Sequence, residues 1–321
     1  MKYLFTILTL LGYWSGHAQV LRDTSFTVYS AYVKAVKKQP FISIVYPKLP
    51  VGIVADTNKV YCTIGNRDLH ADVFYRADRK YFLKPAILLV HGGGWRSGSR
   101  DQQVPMAQQL AAKGYVAVVV EYRLSPEAKY PASVYDLKAA IRWMRSEAKQ
   151  YGIDKNKIAV LGCSAGGQLA ALLGTTNGMR EFEGDEGNGQ EKSEVNAVVD
   201  IDGILAFTHP ESGEGDESKG VSAAAYWLGA TREQNPQLWR DASALAHVGN
   251  TTPPFLFINS SVARMHAGRD DMIKQLDSLH IYYEVYTFTD APHPFWLFNP
   301  WFTPTMDHTV NFLDKVFDHK Y

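Results

Sequence analysis

Short apolar runs recur along this chain, separated by stretches with helical spacing, and that alternation limits the fold more than any single motif. Residues 86–90 read Ala-Ile-Leu-Leu-Val between Pro85 and a glycine cluster, and residues 115–120, 158–161, 197–201 and 254–258 are runs of the same kind. A continuous apolar run of about four to eight residues suits a strand buried on both faces. Between these runs, helical spacing covers residues 106–113, ended by Gly114, then 134–149, with Leu137, Ile141, Trp143 and Met144 on one side, and then 167–173. Helix 271–279, strand 283–288 and helix 306–317 complete the series. Upstream, Val60, Cys62 and Ile64 alternate with polar neighbours, and after Gly65-Asn66 a second alternation runs through Leu69, Ala71, Val73 and Tyr75, which predicts an antiparallel hairpin. The expected fold class is therefore α/β: a doubly wound, mostly parallel sheet with an antiparallel N-terminal edge. No internal repeat or linker interrupts it, so residues 19–321 are expected to form one domain. Residues 19–54 are an N-terminal extension that the pattern does not place.

Residues 1–18 differ in kind from the rest. Met1-Lys2 is a positive start, residues 3–13 are largely apolar, and Gly16-His17-Ala18 sets small residues at the −3 and −1 positions before Gln19. This is the pattern of a signal peptide, so the expected location is secreted or periplasmic. The alternative, an uncleaved anchor, fits less well because the run is shorter than the ~18–20 residues a span needs. With 33 basic and 33 acidic residues, the chain carries no basic stripe for nucleic acid and no polybasic tail for a membrane surface. Of the two cysteines, Cys163 lies inside a motif that needs small buried residues, so pairing with Cys62 is not expected. No spacing resembles a metal site, and no cofactor is implied.

Two motifs carry chemistry. Gly162-Cys163-Ser164-Ala165-Gly166 has the form G-x-S-x-G, follows the strand at 158–161 and opens a helix. A sharp strand-to-helix turn needs small residues around a strained nucleophile, here Ser164. The helix N-terminus favours negative charge developing there. His91-Gly92-Gly93-Gly94-Trp95 follows another buried strand. Glycines let backbone N–H groups approach a substrate, and pre-aimed donors stabilise an oxyanion, each worth about 3–4 kcal/mol of barrier. Gly93, Gly94 and Ala165 are the natural donors.

Together these motifs resemble the α/β-hydrolase superfamily, in the esterase/lipase branch with an HGGGW-type oxyanion loop. Three further segments are similar: Glu121-Tyr122-Arg123-Leu124-Ser125-Pro126, Tyr130-Pro131-Ala132 with the helix around Asp136, and Pro292-His293-Pro294-Phe295-Trp296. The last sits where the family places its catalytic histidine. The run from Pro292 to Phe298 resembles the carbohydrate esterases, including acetyl and feruloyl esterases of plant cell-wall polysaccharides. The resemblance implies that His293 is the general base; His91 reads as support for its own glycine loop and Asp136 as a structural helix residue.

The triad acid is where the chain departs from the pattern. The family usually keeps it a few residues beyond the strand that ends near Ile258, but here residues 259–266 contain no acid. Some relatives take it from the end of the preceding strand, which favours Asp202. Asp270 and Asp271, which read as helix N-terminal residues, Asp290, or a Ser–His dyad stay open. His209 and His266 are candidates to line the site. The aromatic cluster Phe295, Trp296, Phe298, Trp301 and Phe302 is to be divided between core and a flat substrate wall. Residues 181–194, rich in glycine and acid, read as a solvated loop, and the long excursion 208–229 is placed to cover a site.

The expected activity is that of a serine carboxylic ester hydrolase acting through an acyl-enzyme on acetyl or feruloyl esters of plant polysaccharides or their fragments. A general short-chain esterase or lipase is the alternative. A peptidase of the same fold would usually carry a large extra N-terminal domain. A non-catalytic binding protein would usually have lost Ser164 or His293.

Overall fold

The computed structural model describes residues 23–78, 83–215, 218 and 220–321. Residues 1–18, expected from their pattern to be a signal peptide, lie outside them. The strands are β1 (Ser43–Ile44), β2 (Ile53–Ile64), β3 (Arg67–Arg76), β4 (Lys84–Val90), β5 (Val116–Val120), β6 (Ile153–Cys163), β7 (Ala197–Ile201), β8 (Phe255–Asn259), β9 (Tyr283–Thr287) and β10 (Phe298–Asn299). The helices are α1 (Val28–Ala35), α2 (Val104–Ala112), α3 (Ala132–Ser146), α4 (Ala148–Tyr151), α5 (Ala165–Thr175), α6 (Ala223–Leu228), α7 (Pro236–Asp241), α8 (Arg269–Ser278) and α9 (Phe302–Phe317). No helix among the described residues is long and apolar enough to cross a membrane.

Eight strands form one sheet in the order β2-β3-β5-β4-β6-β7-β8-β9. The β2–β3 and β3–β5 pairings are antiparallel and all the rest are parallel. This is the mostly parallel sheet with an antiparallel edge that the sequence predicts. The continuous apolar runs explain it: successive residues of one strand feed two different cores. Leu88 and Val90 pack with α3 and α5 on one face, while Ile87 and Leu89 pack with α2 and α9 on the other. Only a strand covered on both sides uses every apolar residue in this way.

The register decides where the site forms. Val90 is level with Gly162, Cys163 with Ile201, and Ile201 with Ile258. The loops that leave β4, β6, β7 and β8 therefore emerge side by side at the carboxyl edge of the sheet, where ligand crevices of open α/β sheets lie.

Three stretches differ from expectation. The helix expected over 134–149 is interrupted at Glu147, where α3 gives way to the short α4, closed by left-handed Gly152. Residues 181–194 are not simply solvated. Lys138, with a fully buried side chain, donates to Thr176 O and Glu183, and Arg142 and Ser193 converge on the same carboxylate. The loop supplies the counter-charge for two buried cations, and burying them without it would be strongly unfavourable. The N-terminal extension is also placed. β1 pairs antiparallel with β10, and the Gln39 side chain donates to Asp290 O, so this segment braces the stretch that carries His293.

Candidate active site

Ser164 sits between β6 and α5 with φ 58° and ψ −122°, a conformation that costs a non-glycine residue about 1–3 kcal/mol. The turn fits because the residues two places to either side, Gly162 and Gly166, have no side chains. A Cβ built on Gly162 would lie 1.9 Å from Gly166 O, and one on Gly166 would lie 2.2 Å from Val90 O. The Ser164 N–H donates to Ile201 O at 2.8 Å, which ties the turn to the end of β7.

Asp202 follows β7 directly, in the left-handed region at φ 53°. Its side chain is fully buried and both carboxylate oxygens are engaged. Oδ1 accepts from the Ser260 N–H at 2.8 Å, and Oδ2 lies 2.8 Å from His293 Nδ1. A carboxylate can only accept, so Nδ1 carries the proton and Nε2 is left as the acceptor. Nε2 lies 2.8 Å from Ser164 Oγ. The His293 ring stands edge-on to Trp296, with centroids 5.2 Å apart.

The other candidate carboxylates are engaged elsewhere. Asp270 pairs with Arg269, and Asp271 with Lys274 and His209, both in the first turn of α8. The cap of α8 is Gly268 rather than either acid. Asp290 accepts from Trp301 Nε1 at 3.2 Å. Asp136 is buried beneath Arg123, whose backbone and side chain both donate to it. Asp200, two residues before Asp202, is fully buried; desolvation and then the neighbouring Asp202 charge push its carboxyl well above the usual range.

The glycine loop is rigidly held. Gly93 and Gly94 have φ of 125° and 61°, and the N–H groups of Gly93, Gly94 and Ala165 donate to no other described residue. Tyr122 stacks on His91 and donates to its carbonyl, and the Ser125 N–H donates to Trp95 O. The segment 121–126 thus supports the loop. His91 Nδ1 lies 2.8 Å from Gly92 O.

A cavity of about 130 Å³ opens beside Ser164, between Gly94, Trp95, Ile204, Ala223 and Met265, with Glu214 and Arg264 on its wall. Glu214 and Ala223 come from the excursion 208–229, which therefore lines the site. His209 and His266 are not among the residues lining this cavity. His209 faces Glu211 and Asp271, and burial lowers the pKa of His266. The late aromatics are all buried in the core with α2 and α9, while the aromatic lining this cavity is Trp95, stacked on Trp227. Cys62 and Cys163 are free and buried, and burial pushes both thiols up. Among the described residues, no cluster of histidine, cysteine and acidic side chains could hold a metal ion.

Two groups of supporting residues were not legible beforehand. Gln168 is fully buried, accepts from Trp95 Nε1 at 2.8 Å and donates to Ala242 O. Its signal was a lone polar residue on an otherwise apolar helix, four positions after Ser164. Ser260 and Ser261 occupy the stretch where an acid was missed. Ser260 supplies the N–H to Asp202, and Ser261 Oγ donates to Ala291 O, two residues before His293.

The fold is that of the α/β-hydrolases. A family profile described as BD-FAE matches residues 71–280, and the chain belongs to that family. It is 35% identical over 191 residues to "Esterase LipC" of Mycobacterium tuberculosis (strain ATCC 25618 / H37Rv), covering 59% of this chain and 47% of that one. It is 28% identical to "Probable carboxylic ester hydrolase LipM" of the same strain, over 68% of this chain and 52% of that one. The chain thus spans about half the length of these curated relatives. Among solved structures, Thermogutta terrifontis esterase 2 aligns with a TM-score of 0.68 at 26% identity, over 84% of this chain and 96% of that one. A truncated carbohydrate esterase from gut microbiota shares the fold with a TM-score of 0.70 at 24% identity, over 85% of this chain and 99% of that one.

The tight turn makes a direct prediction. Gly166→Ala should lower stability in urea unfolding by at least ~1–3 kcal/mol, because backbone and not a flexible side chain stands in the way. Gly189→Ala, with nothing within 4 Å of the built Cβ, should be near neutral. Equal effects would contradict the packing described.

Proposed function

We propose that this chain is a serine carboxylic ester hydrolase, exported from the cytoplasm, that removes short acyl groups from plant polysaccharides or their fragments. The observation that carries the chemistry is the continuous hydrogen-bonded line from Ser164 Oγ through His293 to Asp202, each link 2.8 Å.

In this reading Ser164 Oγ attacks the ester carbonyl carbon while His293 Nε2 takes its proton. Asp202 fixes the ring tautomer and stabilises the imidazolium that forms. The carbonyl oxygen becomes an oxyanion facing the N–H groups of Gly93, Gly94 and Ala165. As the tetrahedral species collapses, the bond to the leaving oxygen breaks and His293 returns the proton to it, which leaves an acyl-serine and a free alcohol. Water then attacks the acyl carbon, giving a proton to His293. The second collapse breaks the bond to Ser164 Oγ, which recovers that proton, and the carboxylic acid departs. No cofactor takes part in these steps.

Ester hydrolysis is supported by family membership and by relatives named as esterases. The polysaccharide substrate rests on the resemblance of the run from Pro292 to Phe298, and export on residues 1–18. A cavity of about 130 Å³ is well below the ~300–1,000 Å³ of sites for drug-sized ligands, which favours acetyl over the bulkier feruloyl group. A general short-chain esterase is the second reading, favoured by the relatives' names alone.

Ser164→Ala should lower turnover of p-nitrophenyl acetate by at least ~10⁴-fold. Paraoxon, which phosphorylates Thermogutta terrifontis esterase 2, should release one equivalent of p-nitrophenol while its phosphoryl group transfers to Ser164. The alanine variant should take up none, and retained turnover or labelling would overturn the assignment. Intact-mass measurement of the exported protein should place its first residue at Gln19, and a chain still beginning at Met1 would remove the signal-peptide reading.

A further inference from the structure

The helix α1 is inverted for one that lies on a protein surface. Ala31 and Ala35 face the core, while Tyr29, Val33 and Lys34 face outward. A helix packed on a globular core normally buries its large apolar side chains and exposes its polar ones. The inversion continues along the N-terminal extension. Tyr29, Val33, Phe41, Tyr46, Leu49 and Val51 are six of the eleven large hydrophobic side chains exposed among the described residues, with Tyr29, Phe41 and Tyr46 at 68%, 62% and 72%. Concentrated exposure of this kind marks an interaction surface. Tertiary structure brings two of these rings together: Tyr29 of α1 and Tyr46, just after β1, line one hollow of about 410 Å³ with Val28, Ile44 and Val45. Asp101 is the one acid lining that hollow, and Ser99 Oγ donates to it.

The charge of the same segment is equally one-sided. Residues 24–54 contain Lys34, Lys37, Lys38 and Lys48 and no acid, in a chain with 33 basic and 33 acidic residues. All four lysines are exposed, and none pairs with a carboxylate of the described residues. Elsewhere Lys59, Lys155, Lys274, Lys315 and Lys320 each hold an acid. The neutral total, from which no membrane contact is expected, conceals this local excess.

A partner for such a face must offer negative charge over a wide area and an apolar layer just beneath it. Tyrosine, with an apolar ring and a polar tip, suits the boundary between two such layers. Lysine lays its stem along apolar surface while its ammonium stays with the anions. A protein partner would need acids placed to match four lysines on flexible stems. A fluid anionic bilayer needs no such match and supplies both layers. We infer that the N-terminal extension docks the folded protein on the surface of an anionic phospholipid bilayer. The exposed aromatic and aliphatic side chains enter the interface, and the four lysines meet the headgroups. This goes beyond ester hydrolysis and does not rest on it.

The test is co-sedimentation of the exported protein with vesicles of phosphatidylcholine, alone or mixed with phosphatidylglycerol. Binding should require the anionic lipid and should fall steeply as salt is raised. One lysine near such a surface strengthens binding about fivefold, so Lys37→Gln combined with Lys38→Gln should weaken it by about 25-fold. Tyr46→Ser should weaken it by about tenfold without changing its salt dependence. Each variant should keep the native urea midpoint, so that lost binding is not lost folding. Equal binding to neutral vesicles, undiminished binding by the double variant, or no sedimentation with the mixed vesicles at low salt would each overturn the inference. A dimer in solution that Tyr46→Ser disrupts, with no vesicle binding, would overturn it too and assign the face to a second copy of the chain.

Discussion

The carboxylate of Asp202 is fully buried, and the rest of the site is arranged around what that carboxylate can accept. Left unpaired, a charge at such a depth would cost several kcal/mol. It is satisfied by the backbone of Ser260 on one oxygen and by the His293 ring on the other. The second bond decides the histidine tautomer, and the tautomer decides that Nε2 faces Ser164 as an acceptor. The register of β6, β7 and β8 is what allows this. Because the three strands end level, Ser164, Asp202 and Ser260 leave the sheet as neighbours although nearly a hundred residues separate the first from the last. A shift of register between β7 and β8 would move the Ser260 N–H away from the carboxylate it serves.

Placing the proposed acid at the end of β7 changes what the neighbouring loop does. The β8 loop becomes a brace: it donates to Asp202 through Ser260 and holds the histidine segment through Ser261 and Ala291. The N-terminal extension works on the same segment from the other side, through the β1–β10 pairing and the bond from Gln39 to Asp290. His293 is thus held between two supports, one from the β8 loop and one from the N-terminal extension. The glycine loop has its own anchors, with Tyr122 beneath His91 and Gln168 joining Trp95 to α5, the helix that follows Ser164.

Most of the fold was legible because its signal is local. Runs such as 116–120 are apolar at every position, and only a strand covered on both faces accommodates that. The proposed nucleophile and oxyanion donors were legible because each depends on glycines adjacent in sequence to a strand end, whereas the proposed base was legible only through the family resemblance of the run around His293. Asp202 was favoured only by analogy, since nothing near it in sequence distinguishes it from Asp200, which lies on the same strand and is equally buried. Its partners, Ser260 and His293, are fixed by tertiary register and not by spacing. The same reason hid the role of residues 181–194. Their acids serve Lys138 and Arg142 on α3, some forty residues earlier, and a composition rich in glycine and acid cannot announce such partners.

In the proposed mechanism Asp202, and not a carboxylate nearer the usual position, orients His293. Asp202→Asn and Asp270→Asn measured side by side on p-nitrophenyl acetate test it most directly. The amide keeps the shape of the side chain but favours the wrong histidine tautomer, so Asp202→Asn should lower kcat by about 10⁴-fold. Asp270→Asn, at an exposed ion pair with Arg269, should leave it within about twofold. A loss below about tenfold for Asp202→Asn, or a larger loss for Asp270→Asn, would contradict the account.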